Sequence, residues 1–283
     1  MAISIRTLSD TDLESVNTIL KAAFQRPDSW LRELSIIRNL QSAVAFSAHY
    51  HGVLAGVVFS TQYPDFTYVG PLGVHPEFQR LGIGFALMEH LLGWLDTHGI
   101  MRVALDASPN GQFIYEKLGF KACDQVSIFQ RQSGGSALQQ PDDVQRLSLQ
   151  NLNSITATDK HIFGTDRSKL LGALLRAFPK RGFVLSGGDR NISGYIFAQD
   201  KIIGPWVAKK HVDASLLLQA ALSLSFDYEP VSVVVPNENI SAPALLQSYG
   251  FKRVRVLRHM VRGSKIPAGQ REMMYGQTSP SLG

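Results

Sequence analysis

Apolar positions along the chain switch between short continuous runs and stretches at helical spacing, the signature of mixed strands and helices. Ile3–Thr7 predicts a strand, and Asp10–Phe24 and Ser29–Leu40 predict helices. Two strand-like runs, Ala43–Ala48 and Val53–Ser60, flank "HYHG" and predict a hairpin. A strand at Tyr68–Val74 follows, then a helix beginning after Gly82, a strand at Met101–Asp106, a short helix around Gly111–Leu118 and a strand at Lys121–Gln130. The helix after Gly82 has the strongest pattern: Ile83, Leu87, Leu91 and Leu95, with Met88 and Leu92, form one apolar stripe.

The polar stretch "RQSGGSALQQPDD", Arg131–Asp143, has the Ser, Gly, Gln and Pro content of a linker. Beyond it the same order of elements recurs. "VGP" at Val69–Pro71 is echoed by "IGP" at Ile203–Pro205, and "EKLGFKAC" by "QSYGFKRV". The spacing agrees as well, 50 residues from Gly70 to Phe120 against 47 from Gly204 to Phe251. "GFVLSGGDRNISGYIFA" likewise repeats the hairpin of "AVAFSAHYHGVLAGVVFS". Two copies of one α+β unit are expected: a first domain over 1–131, a linker at 132–143, and a second domain with a C-terminal tail over 144–283.

Composition narrows the class. A chain of 283 residues with 45% apolar content can bury two cores. No run approaches the roughly 18 apolar residues of a membrane span. The opening "MAISIRTLSD" lacks the basic start and apolar centre of a signal peptide, so a cytoplasmic protein without a membrane partner is expected. The lone Cys123 excludes an internal disulfide or a Cys-paired zinc site and is expected to be buried and inert, as Trp30 and Trp206 are expected to be core. The eight histidines show no metal-binding spacing, so no metal is expected. A net charge of +5 suits nucleic acid or an anionic small molecule. In the densest basic run, "FKRVRVLRHMVR", Arg253 and Arg255 alternate with Val254 and Val256, a strand pattern rather than a nucleic-acid stripe. The sequence leaves the oligomeric state open.

Candidate chemistry gathers in "LGVHPEFQRLGIGFALM". Two glycines, Gly82 and Gly84, stand where a helix begins, although each weakens it by up to about 1 kcal/mol relative to Ala. The first amides of a helix lack intrahelical partners and carry the positive end of its dipole, so bare backbone there makes an anion site. Gln79 and Arg80 can add donors, and a guanidinium suits phosphate. A phosphate or pyrophosphate ligand is expected. A P-loop would need Gly-Lys-Ser/Thr, which is absent, and a dinucleotide turn would need a third Gly where Leu87 stands. The second copy keeps the apolar helix in "KKHVDASLLLQAALSL" but has neither glycine.

This run, followed by "VALDASPNGQFIYEKLGF", resembles the GNAT N-acetyltransferase superfamily. Its acyl-CoA signature is Gln or Arg, two residues, Gly, one residue, then Gly or Ala, and Gln79, Arg80, Leu81, Gly82, Ile83 and Gly84 match it. The whole chain further resembles a tandem bacterial group with a diverged second domain. The resemblance implies two α+β domains, each a mixed, mostly antiparallel sheet flanked by helices. It implies that the strand Tyr68–Val74 splays from Met101–Asp106, that pantetheine inserts between them along Leu72, Gly73 and Val74, and that the pyrophosphate rests on the amides of Arg80–Gly84. The implied reaction is direct attack of an amine, from a small molecule or a peptide, on acetyl-CoA, with no metal. Tyr115, five residues before Phe120, matches the tyrosine that protonates the departing thiolate; the second copy has Leu246 there. Relatives often place a basic Glu on the strand occupied here by Tyr68, Val69 and Gly70. Asp106 is the first candidate for the base, His75 the second, and a water chain the third. A non-catalytic acyl-CoA sensor is the rival reading. The end, "REMMYGQTSPSLG", carries Met273, Met274, Tyr275 and Leu282 and is expected to dock, in a groove between the domains.

Overall fold

The protein was analysed as a computed structural model that describes residues 3–40, 42–132, 138–187, 192–264 and 269–283; part of the expected linker, 133–137, lies outside them. In chain order the first elements are β1 (Ile3–Thr7), α1 (Leu13–Phe24), α2 (Leu31–Asn39), β2 (Ala43–Tyr50), β3 (Val53–Gln62), β4 (Thr67–Val74), α3 (Ile83–Thr97), β5 (Val103–Ala107) and α4 (Gln112–Lys117). There follow β6 (Lys121–Arg131), β7 (Val144–Arg146), α5 (Leu152–Phe163), α6 (Ser168–Ala177), β8 (Gly182–Ser186), β9 (Ile192–Ala198) and β10 (Ile203–Ala208). The last are α7 (His211–Leu222), β11 (Val231–Pro236), α8 (Ala242–Ser248), β12 (Lys252–Arg262) and β13 (Met274–Gly276). Packing divides the chain into two units, one of Met1–Lys121 with Met260–Ile266 and Leu282, the other of Ala122–His259 with Pro267–Ser281 and Gly283.

In the first unit β1 to β5 are neighbours in chain order. The β2–β3 hairpin turns at His51 and Gly52, with φ of 49° and 83°, the paired positive values that match strand twist. The apolar stripe of α3 is buried along its length, against Phe46, Val58, Val69, Val103 and Leu105 of the sheet. Helix α1 buries Val16, Ile19 and Leu20 and approaches β4 so closely that a Cβ on Gly73 would lie 2.7 Å from Leu20 Cδ2. A side chain at Gly73 would thus require Leu20 to shift.

The second unit repeats the hairpin and long helix as β8, β9, β10 and α7, and its five-stranded sheet runs β13-β10-β9-β8-β7. Trp206, Leu217 and Phe183 lie at the centre of its core. Both tryptophans expected in the core are buried, Trp30 at 4% and Trp206 at 0% exposure. Strand β6 has all but its first residue in this unit and pairs antiparallel with β11, from Val126↔Pro236 to Arg131↔Val231. The continuous part of the first unit ends at Lys121, and Met260–Ile266 from later in the chain also belongs to it. Cys123 corrects an expectation: it is exposed, because the first residues of β6 face solvent, and its Sγ lies 3.6 Å from the carbonyl of His259. No helix of the described residues is long and apolar enough to cross a membrane.

Gly73→Ala drives a methyl into Leu20 and should cost about 1–3 kcal/mol, the range of overpacked cores. Urea denaturation measures it, and an unchanged midpoint would show that α1 can yield.

Candidate active site

The site begins with an irregularity in β4. Register along β3–β4 runs Val58↔Leu72 and Ser60↔Val69, so Gly70 and Pro71 stand opposite Phe59 alone. This is a β-bulge, and bulges bend a strand and re-aim it. Pro71 offers no N–H at the same point. Parallel pairing between β4 and β5 is correspondingly brief, Thr67↔Val103 and Tyr68↔Ala104, although β4 continues to Val74 and β5 to Ala107. The two strands therefore diverge from Val69 onward, and Asp106 lies half-buried on β5 just beyond the last paired residue.

Helix α3 starts beside this divergence. Its N-cap, Gly82, has φ 81°, and no side chain caps the helix. Arg80 also has positive φ, 65°, and is exposed. Left-handed residues close together turn successive amides toward one concavity, which favours an anion. Gln79 is exposed, and its Nε2 donates to the carbonyl of Val74 at 3.1 Å, tying the turn to the end of β4. A Cβ on Gly84 would lie 3.7 Å from Leu72 Cδ2, Val74 Cγ2 and Ile114 Cδ1, ordinary contact distances. The same three contacts show that Gly84 sits over Leu72 and Val74 of β4 and beside α4.

The protein's own packing thus explains Gly82, by its conformation, and Gly73, by α1, but not Gly84. Ile83 is buried in the core, whereas Leu81 is exposed at the mouth of the turn.

Helix α4 carries Tyr115. The hydroxyl of Ser108 accepts from the amide of Gly111 at 3.2 Å and fixes the start of the helix after β5. The Tyr115 ring lies over Gly111 and meets Phe120 edge-on at 5.8 Å. Burial pushes the phenol up to about 12, so it keeps its proton at neutral pH. His75 follows β4 and faces Glu77 at 3.7 Å. Ile114 and Ser108 escaped the sequence reading, since neither carries a residue type or spacing that marks a site. Among the described residues no group of three potential metal ligands occurs.

Comparison with known proteins bears on this arrangement. A profile described as "Acetyltransferase (GNAT) family" matches residues 12–120, and one described as "Acetyltransferase (GNAT) domain" matches residues 155–276. The chain belongs to the GNAT superfamily, as two tandem domains. Holothin acyltransferase of a Pseudoalteromonas species is 25% identical over 77% of this GNAT chain and 74% of its own. Ribosomal protein bS18-alanine N-acetyltransferase of Escherichia coli is 27% identical over 41% of this chain and 80% of its own. A solved structure from Pyrococcus horikoshii superposes with a TM-score of 0.85 at 23% identity, covering 100% of this chain and 96% of that one, which shows the fold of the whole GNAT pair. The family membership and the named relatives make the protein an N-acetyltransferase.

The raised Tyr115 pKa has a pH consequence. A folded-state phenol titrating above its unfolded value of about 10 contributes stability that is present below pH 10 and lost as pH rises toward 12. Denaturation midpoints measured across that window should fall more steeply for the native protein than for Tyr115→Phe; equal slopes would place the phenol in an ordinary environment.

Proposed function

We propose that the first domain transfers an acetyl group from acetyl-CoA to the amine of a small molecule, by direct attack within a ternary complex. The observation that carries this reading is Gly84: bare backbone at an uncapped helix start, over the diverging strand β4, with no contact in the protein that needs a glycine. A pyrophosphate on the amides of Arg80–Gly84 supplies the reason, since its oxygens must come closer than a side chain allows. Pantetheine would then follow Leu72, Gly73 and Val74 into the divergence, with the thioester near Asp106 and α4.

Tyr115 would face the departing thiolate. A thiol has an ordinary pKa of about 8.5, well below that of a phenol pushed up to about 12 by burial, so full transfer of the proton is unfavourable. Its hydroxyl acts on this reading as a fixed hydrogen-bond donor to the sulfur, with water completing the protonation. Asp106 is the proposed base, placed on β5 beyond the pairing and inside the divergence; His75 beside Glu77 is the alternative. A small-molecule acceptor is preferred to a protein terminus because the match to the holothin enzyme extends over 77% of the chain, whereas that to the ribosomal-protein enzyme covers 41%.

Calorimetry should count one CoA per chain, and Gly84→Glu should abolish binding without loss of fold by circular dichroism. Two CoA per chain would contradict a single cofactor turn.

Tyr115→Phe should lower kcat by roughly 10- to 1,000-fold, the range for one donor to a developing anion, with acetyl-CoA affinity unchanged. CoA release from acetyl-CoA over a panel of amines measures it; an unaltered kcat would return Tyr115 to a packing role, and no thioester consumption with any amine would favour an acyl-CoA sensor.

A further inference from the structure

The second copy carries the same divergence as the first, filled by its own chain. Register along β9–β10 shifts between Ile203↔Ala198 and Trp206↔Ile196, placing a bulge at Gly204–Pro205 as in β4. Ile202↔Ser232 is the parallel bridge equivalent to Tyr68↔Ala104, after which β10 and β11 part. Into this gap runs β13. It pairs antiparallel with β10 at Trp206↔Gly276 and Val207↔Met274, the residues corresponding to Leu72 and Gly73 of the first copy. On the other side the amide of Gln277 donates to the carbonyl of Val234 at 2.8 Å, and Val234 corresponds to Asp106. The tail thus bridges both walls by backbone hydrogen bonds.

Several features of the cleft fit a peptide. A Cβ on Gly204 would collide with the carbonyl of Gln277, and one on Gly276 would lie 3.0 Å from the carbonyl of Ile203. The Tyr275 ring packs on Trp206 with centroids 5.0 Å apart. The buried Arg167 guanidinium, held by Asp159 at 2.8 Å, reserves Nη1 for Thr278 Oγ1 and the carbonyl of Gly283, each at 3.2 Å. At the start of α7, where the first copy has Ile83 and Gly84, the second has Asp213 and Ala214, with Asp213 hydrogen-bonded by Ser193. A fixed carboxylate already answers that helix dipole and repels a phosphate.

We propose that the second domain's cleft is a peptide-binding groove whose ligand is an extended segment of this same chain, residues 274–283, bound by strand addition in place of pantetheine. The groove recognises the segment without needing its covalent connection. Its argued contacts are those of β10, β11 and Arg167 and involve none of the proposed CoA contacts, so failure of the intact chain to bind CoA would count against the proposed function and not against the groove.

The test is a chain ending at Met273 with a synthetic peptide MYGQTSPSLG. The peptide should bind this chain one to one and raise its melting temperature by mass action, and should not bind the intact chain, whose groove is filled. A peptide carrying Gly276→Val should bind at least about tenfold more weakly, since its methyls meet the carbonyl of Ile203. CoA stoichiometry of the shortened chain should equal that of the intact chain. If the shortened chain is insoluble, it is co-expressed with residues 274–283 fused to a carrier, and recovery of a soluble complex supports the groove. Absence of peptide binding, equal binding by the intact chain or by a scrambled peptide, a second CoA on truncation, or no recovery by the carrier fusion would each overturn it.

Discussion

A two-residue interruption of strand pairing organises both halves of this protein. At Gly70–Pro71 and again at Gly204–Pro205, two residues of one strand oppose a single residue of its neighbour, and a proline withholds an amide. The ladder to the next parallel strand cannot continue past that point, so strands that begin as partners end apart. Backbone groups freed from a ladder must find other partners, since a buried unpaired amide or carbonyl costs about 1–3 kcal/mol. The bulge therefore leaves a place for an extended polar guest, which the second copy fills from its own chain.

In the second copy the guest is a strand from the same chain, and the local chemistry has moved to suit it. Trp206 provides a platform for Tyr275, Gly204 yields room for a carbonyl, and Arg167 anchors the turn that follows. The helix start bears its own carboxylate, Asp213. In the first copy the helix start is bare, with left-handed backbone at Arg80 and Gly82 and a glycine at 84 that no neighbouring atom requires. The two copies differ by few residues at this place, and on the proposed function those residues separate a phosphate turn from a peptide groove. Membership in the GNAT superfamily accounts for the shared scaffold.

Burial at α4 shapes what Tyr115 can contribute. Packing against Gly111 and Phe120 fixes the ring, and the same desolvation that raises its pKa to about 12 guarantees the proton while making its complete release unfavourable. A group so placed stabilises negative charge by donation, which depends on position more than on acidity.

The sequence alone determined the elements and their repetition. The stripe from Ile83 to Leu95 marks a helix with one buried face, and alternation in "FKRVRVLRHMVR" appears as the strand Lys252–Arg262, because local periodicity is a property of the backbone itself. Gly82 and Gly84 stood out as the proposed anion turn for the same reason, since a glycine where a helix begins has a local cost that asks for an explanation. What the sequence could not settle was which distant segment each strand would meet. Lys121–Gln130 reads correctly as a strand, but its neighbours in the sheet are Val231–Pro236 and Lys252–Arg262, a hundred residues or more later, and its first residues face solvent, which exposes Cys123. Gly73 reads as part of a ligand cleft, and the structure adds a close contact that the sequence does not show, with Leu20 of α1. The apolar tail announced that it would dock, but its seat in the gap between β10 and β11 rests on the bulge, on pairing with β10 and on the carbonyl of Val234. Such long-range choices follow from which backbone groups remain unpaired once the sheets have formed, and only the tertiary structure decides that.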